Sequence, residues 1–179
     1  DSNFLETIKF IRKKSRNDKE LGDVFEKMCK IFFENDPLQK QQFSKVWHYK
    51  DWSKDKKEYS KSDIGIDLVA KIEGSNKYCA IQCKCYQSEH SISKSDIDSF
   101  ISASSTDDFE RLILIDTSSQ DLGLNAKKVF SNLDKKYQRI QLNELQESRI
   151  DWLSYIKNKE VILNKKKELR DHQIKAVDS

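Results

Sequence analysis

The chain has 179 residues, with 33 basic against 30 acidic side chains and a net charge of +3. That length suits one domain with a tail, and the near-balanced charge excludes a uniformly basic nucleic-acid binder, so any DNA contact must come from a local surface. One proline and four glycines argue against a disordered linker or a turn-rich all-β fold, and no stretch approaches the ~20 apolar residues of a membrane span.

Phe4, Leu5, Ile8 and Ile11 recur at helical spacing and predict a first helix that runs into the charged residues 12–19. Leu21, Val24, Phe25, Met28, Cys29, Ile31, Phe32 and Phe33 predict a second, more apolar helix. Asn35-Asp36-Pro37 ends it, because the residue before proline avoids the helical region. Glu26 sits in that helix beside core residues; it is either a solvent-facing acid or a carboxylate aimed at a metal site. Phe43, Lys45, Trp47 and Tyr49 alternate with Ser44, Val46, His48 and Lys50 and predict a strand. Residues 51–61 carry no apolar pattern and read as a mobile charged loop, from which Trp52 or Tyr59 could touch phosphates or bases.

Residues 62–86 organise the rest. Ile64, Ile66, Leu68, Ala70 and Ile72 share one parity of a strand, and Asp63, Gly65, Asp67, Val69 and Lys71 share the other. Cys79, Ile81, Cys83 and Cys85 line one face of a second strand, with Ala80, Gln82, Lys84 and Tyr86 on the opposite face. Glu73-Gly74-Ser75-Asn76-Lys77 between them is turn chemistry, so a hairpin brings Asp67 near Gln82 and Lys84. Four cysteines in these positions read as reduced core thiols rather than zinc ligands, which implies a reducing compartment. With no short apolar leader at the N-terminus, the expectation is a cytoplasmic protein.

Beyond the hairpin, Ile97, Phe100 and Ile101 predict a helix capped by Ser93 or Ser95, and the apolar run 111–116 predicts a strand covered on both faces. Residues 124–133 read as a helix and 137–142 as a strand, while Leu145, Ile150, Trp152, Leu153 and Ile156 suggest a closing helix. Lysine-rich residues 157–168 read as a linker or extended helix. Such alternation predicts an α/β fold with a mixed central sheet flanked by helices.

Phosphodiester hydrolysis needs a hard divalent cation, a positioned water and a group to orient it. Asp67, the amide oxygen of Gln82 and the backbone carbonyl of Cys83 could supply oxygens to Mg²⁺, which keeps several waters of its own. Lys84, two residues past Gln82, stays on the same face to hold the water. The competing reading is a wet hairpin face with a weak surface ion pair.

Gly65-Ile66-Asp67 followed by Gln82-x-Lys84 resembles the PD-(D/E)xK nuclease superfamily in its Mrr-like form, in which Q-x-K replaces the commoner D/E-x-K. That form also tends to carry a glutamate in the preceding helix after an apolar residue, as in Phe25-Glu26. The resemblance implies a restriction-endonuclease-like fold and a Mg²⁺-dependent cut in double-stranded DNA, with Mn²⁺ able to substitute. It makes Asp67, Gln82, Lys84 and Glu26 the catalytic set, with Glu26 and Asp63 as further candidates for the metal.

Leu169-Arg170-x-His172-Gln173-x-x-Ala176-Val177 resembles the adenine-recognising Q motif of superfamily-two helicases and translocases, yet no phosphate-binding loop follows or precedes it here. The combination resembles the nuclease piece of a single-polypeptide type I (type ISP) restriction enzyme. It implies a nuclease in residues 1–156, a linker and motor start in 157–179, and translocase, methyltransferase and target-recognition domains downstream. ATP would then act only through that motor. The alternative is a non-cleaving nucleic-acid-binding or motor-docking module on the same fold.

Overall fold

The computed structural model describes residues 2–60 and 64–165. Asp63 and the motif at 169–177 lie outside the described residues.

Among the described residues, five strands form one mixed sheet in the order β1-β2-β3-β4-β5: β1 (Phe43–His48), β2 (Leu68–Ile72), β3 (Tyr78–Lys84), β4 (Phe109–Asp116) and β5 (Lys136–Ile140). β2 runs antiparallel to β1 and β3, whereas β3, β4 and β5 run parallel. The carboxyl ends of β1, β3 and β4 and the amino end of β2 therefore meet at one edge. Crossovers between parallel strands need a helix's length of chain, and α5 (Lys94–Ala103) and α6 (Leu124–Ser131) supply them.

The two long helices form as their periodicity predicts. Ser2 caps α1 (Asn3–Lys14) by accepting from Leu5 N–H, and Asn17 caps α2 (Asp18–Asn35) by accepting from Glu20 N–H. Both lay their apolar stripes on one sheet face, where Phe4, Ile8, Phe25, Met28, Phe32 and Phe33 join Leu68, Ala70, Ile72, Cys79 and Ile81 in the main core. Pro37 does end α2, but it also opens α3 (Pro37–Gln42), where its missing N–H costs nothing and Asp36 accepts from Gln39 N–H.

The opposite face is equally covered. Val69 and Ala80 pack there with Phe100, Phe109, Leu112, Tyr49, Trp52 and Tyr59. Val69 and Ala80 therefore do not meet water. The structure corrects the mobile loop, since Trp52 lies in the short helix α4 (Tyr49–Trp52), and Trp52 and Tyr59 are only 4 % and 6 % exposed. Their ring centroids lie 4.8 Å apart at a 60° tilt, the Trp52 and Phe109 centroids lie 5.4 Å apart, and Tyr59 Oη donates to Asp108 at 2.6 Å. Burial and that carboxylate push the Tyr59 phenol up to about 12. Neither ring is placed to stack on a base.

The closing helix is two helices, α7 (Leu142–Gln146) and α8 (Trp152–Asn158). The break lets Ile150 bridge to Leu163, with Asp151 N–H donating to Ile162 O at 2.8 Å, so the chain after α8 returns along residues 149–151. No helix among the described residues is long and apolar enough to cross a membrane.

Candidate active site

At the sheet edge where the strand ends meet, a cleft of about 870 Å³ is walled by Glu26 of α2, His48 of β1, Ile66 and Asp67 ahead of β2, and Cys83 and Lys84 of β3. Arg12 of α1 and Tyr86 and His90 beyond β3 also line it. The fold thus brings Glu26, Asp67, Cys83 and Lys84 together from three separate elements.

Asp67 is fixed by the hairpin. Leu68 pairs with Ile81 and Val69 with Ala80, which leads Asp67 to the end of β3 beyond Ile81. Asp67 N–H donates to Ile81 O at 2.9 Å, and Asp67 Oδ2 accepts from Cys83 N–H at 2.7 Å, which brackets Gln82 from both sides. Tyr49 N–H donates to Asp67 O at 2.9 Å, tying the main chain of Asp67 to the residue that follows β1.

Gly65 explains how Asp67 reaches this place. Its φ of 96° lies in the region that only glycine enters without strain, and an added Cβ would stand 2.7 Å from Phe100 N and 2.8 Å from Ser99 C. Pressed on α5, the chain departs from strict alternation: Ile66 packs with Val69 on one face, whereas Leu68 packs on the other.

Gln82 is 2 % exposed, and its Oε1 is buried with no hydrogen-bond partner among the described residues. It is not part of the cleft wall itself. A buried amide oxygen without a donor costs about 1–3 kcal/mol, and as a hard oxygen it can serve as a ligand to a cation. Among the described residues no group of three His, Cys, Asp or Glu side chains is placed to hold a metal. A single carboxylate, an amide oxygen and a main-chain carbonyl are hard oxygen donors, which fit Mg²⁺ with its retained waters.

Glu26 Oε2 and His48 Nδ1 are 2.6 Å apart, with side chains 28 % and 20 % exposed. The pairing of His48 was not foreseen, because it depends on α2 packing over β1 across 22 positions of sequence. Arg12 was also unforeseen: its Nη2 donates to Tyr86 O at 2.5 Å and pins the chain just beyond Lys84. On the same side, Tyr86 and His90 rings lie 4.1 Å apart and both reach Asp96, at 3.1 Å and 3.2 Å. Burial would raise the Asp96 carboxyl, but bonds from Ser93, His90 and Tyr86 outweigh it and hold it below the usual range.

The cysteines are free thiols. Burial pushes all four up, Cys83 further through its bond to Cys29, and so keeps them protonated. Cys29 and Cys79 are core residues, whereas Cys83 and Cys85 are half-buried at the cleft.

Comparison with known proteins agrees with this fold. No curated protein sequence matches the chain. Among solved structures, the ATP-dependent type ISP restriction-modification enzyme LlaBIII bound to DNA is similar over 98 % of this chain, with a TM-score of 0.71 and 28 % identity. The chain spans about 10 % of that enzyme's length. The DNA modification-dependent restriction endonuclease AspBHI shares the fold over 86 % of this chain and 35 % of its own, with a TM-score of 0.52 and 14 % identity. A restriction endonuclease family model matches residues 34–162, from the end of α2 through the segment paired with Ile150. With more than half its length in that match, the chain belongs to the restriction endonuclease family.

Proposed function

We propose that the chain is a Mg²⁺-dependent endonuclease domain that hydrolyses phosphodiester bonds in double-stranded DNA, using Asp67, Gln82, Lys84 and Glu26. The observation that carries this reading is the buried Oε1 of Gln82, unpartnered among the described residues, beside Cys83, whose N–H donates to Asp67 Oδ2 at 2.7 Å. Asp67, Gln82 Oε1 and the Cys83 carbonyl would hold the cation, with Glu26 contributing directly or through water. A bound Mg²⁺, or Mn²⁺ in its place, supplies positive charge against the charge that develops on the phosphate. Lys84 has three donors and no acceptor, so as an ammonium it orients the attacking water and the phosphate rather than taking a proton. Asp63 remains a candidate for the same cation. Sequence specificity is assigned to domains outside this chain, because nothing here presents a base-reading helix.

The reading extends to the whole protein. The chain would be the nuclease piece, in residues 1–156, of a longer ATP-dependent restriction enzyme, with 157–179 leading into a translocase followed by methyltransferase and target-recognition domains. The similarity to LlaBIII over nearly the full chain supports it. ATP would act through that motor.

The test is cleavage of supercoiled and linear duplex DNA by the chain with Mg²⁺ or Mn²⁺, beside Asp67→Asn and Lys84→Ala. Metal-dependent cutting that EDTA stops, lowered at least about 100-fold by each substitution, is the expected result. Cutting that survives both substitutions refutes the site.

A further inference from the structure

His48 belongs to no motif, yet it stands between the two carboxylate-bearing segments. It is the last residue of β1 and pairs across the sheet with Leu68, the neighbour of Asp67. The next residue, Tyr49, donates its N–H to Asp67 O at 2.9 Å. From the same point the His48 ring reaches the other way, to Glu26 Oε2 at 2.6 Å. An ionised carboxylate only accepts, so Nδ1 carries the hydrogen of that bond. The pair is mostly buried at the cleft, with side chains 20 % and 28 % exposed, which sets it apart from a solvated surface ion pair.

We propose that His48 is a positioning residue that fixes the Glu26 carboxylate at the cation site, committing Oε2 to the ring and presenting the other oxygen to the cleft. A glutamate side chain has three rotatable bonds, and one that must be ordered only when the cation arrives weakens binding. One held in advance does not. The end of β1 thus sets the separation of Glu26 and Asp67: its side chain holds one carboxylate, its main chain holds the residue bearing the other. Partners that hydrogen-bond metal-ligating carboxylates are typically worth about 10–100-fold in metal affinity.

This inference rests on the proposed cation site, and the experiment separates the two. Mn²⁺ affinity of the 179-residue chain is measured from the free-ion electron paramagnetic resonance signal, with no DNA and no turnover, for wild type, Asp67→Asn, Glu26→Gln, His48→Asn and His48→Gln. An asparagine amide places its N–H where Nδ1 stands, whereas a glutamine amide places it where Nε2 stands. His48→Asn is therefore expected to bind within about threefold of wild type and His48→Gln about tenfold more weakly. In the Glu26→Gln background, His48→Gln should add no further loss, since the group it positions has lost its charge. Both histidine variants are polar and similar in size, and their metal-free melting curves show whether either perturbs the fold. Equal Mn²⁺ affinity of His48→Asn and His48→Gln overturns the positioning role, as does a loss from His48→Gln that persists undiminished beside Glu26→Gln. If Asp67→Asn and Glu26→Gln both bind as wild type, the cation site itself is wrong. If only those two weaken binding, the site stands and His48 does not serve it.

Discussion

Replacing Gln82 by methionine is expected to separate the stability of the fold from its capacity for metal. Gln82 is 2 % exposed and its Oε1 is unpartnered among the described residues. Leaving a buried amide oxygen unpaired costs about 1–3 kcal/mol. Methionine keeps the length of the side chain and adapts to irregular space without the polar atoms. Gln82→Met should therefore stabilise the metal-free protein by about 1 kcal/mol, which for a chain of this size is about 2–4 °C in Tm. With cation the order reverses. A ligand that binds only the folded state adds about 2.7 kcal/mol at a hundredfold excess over its Kd, and the variant, short of one donor, gains much less. Thermal melting in EDTA and across a Mn²⁺ series reads both effects in one assay. A variant that melts below wild type in EDTA would mean that Oε1 is satisfied in the free protein. A variant that keeps the full Mn²⁺-dependent rise would remove Gln82 from the donor set.

Gly65→Ala is expected to cost at least about 2 kcal/mol in chemical denaturation, because positive φ and a clash with the α5 backbone act together; an effect under about 0.5 kcal/mol would mean that the chain there has room to move. Arg139→Met leaves Asp116, 0 % exposed, without the two bonds of 2.9 Å and 3.1 Å it accepts from the guanidinium, and should cost about 3–5 kcal/mol at neutral pH. The sign with pH follows: burial already raises the Asp116 carboxyl against the pull of Arg139, so losing the arginine raises it further. The protonated acid carries no buried charge, and the deficit relative to wild type should shrink as pH falls through that raised value, as urea melts at several pH values would show. Trp52→Ala should destabilise by about 3–5 kcal/mol through lost packing against Tyr59, Tyr78 and Phe109, while DNA affinity of the folded fraction, read by fluorescence anisotropy, stays unchanged.

The hairpin was legible because its two strands carry a strong period of two around a turn-rich centre, and β4 because a continuous apolar run has few alternatives to a strand buried on both faces. What escaped depends on contacts between distant segments. Val69 and Ala80 are too small and neutral to announce a second buried face; only Phe100 and Phe109 packing against them reveals it. Trp52 and Tyr59 sit among lysines and acids, so local composition argued for solvent while the aromatic ring contacts decided for the core. Alternation also assigned Ile66 to the same face as Leu68, which fails because Gly65 adopts a backbone angle set by its approach to α5. That Asp67 and Lys84 come to one cleft was readable from the strand spacing. His48 and Arg12 were not, since each acts on a residue far along the chain.

The family match begins at residue 34, yet the physical domain does not begin there. Phe4, Ile8 and Ile11 of α1 and Phe25, Met28 and Phe32 of α2 cover the sheet face formed by Leu68, Ala70, Ile72, Cys79 and Ile81. Without them that face would lie bare, and a sheet with one uncovered apolar face is an aggregation surface rather than a fold. The same residues close the far end: Asn3 Oδ1 accepts from Trp152 N–H at 2.7 Å and its Nδ2 donates to Asp151 at 3.0 Å, so the start of α1 caps α8. They also close the cleft, through Arg12 on the Tyr86 carbonyl and Glu26 on His48. A sequence pattern centred on the strands registers the residues whose spacing the sheet dictates. Helices that need only an apolar stripe and one well-placed carboxylate leave a weaker pattern, even though they complete the core, the terminal helix and the wall of the site.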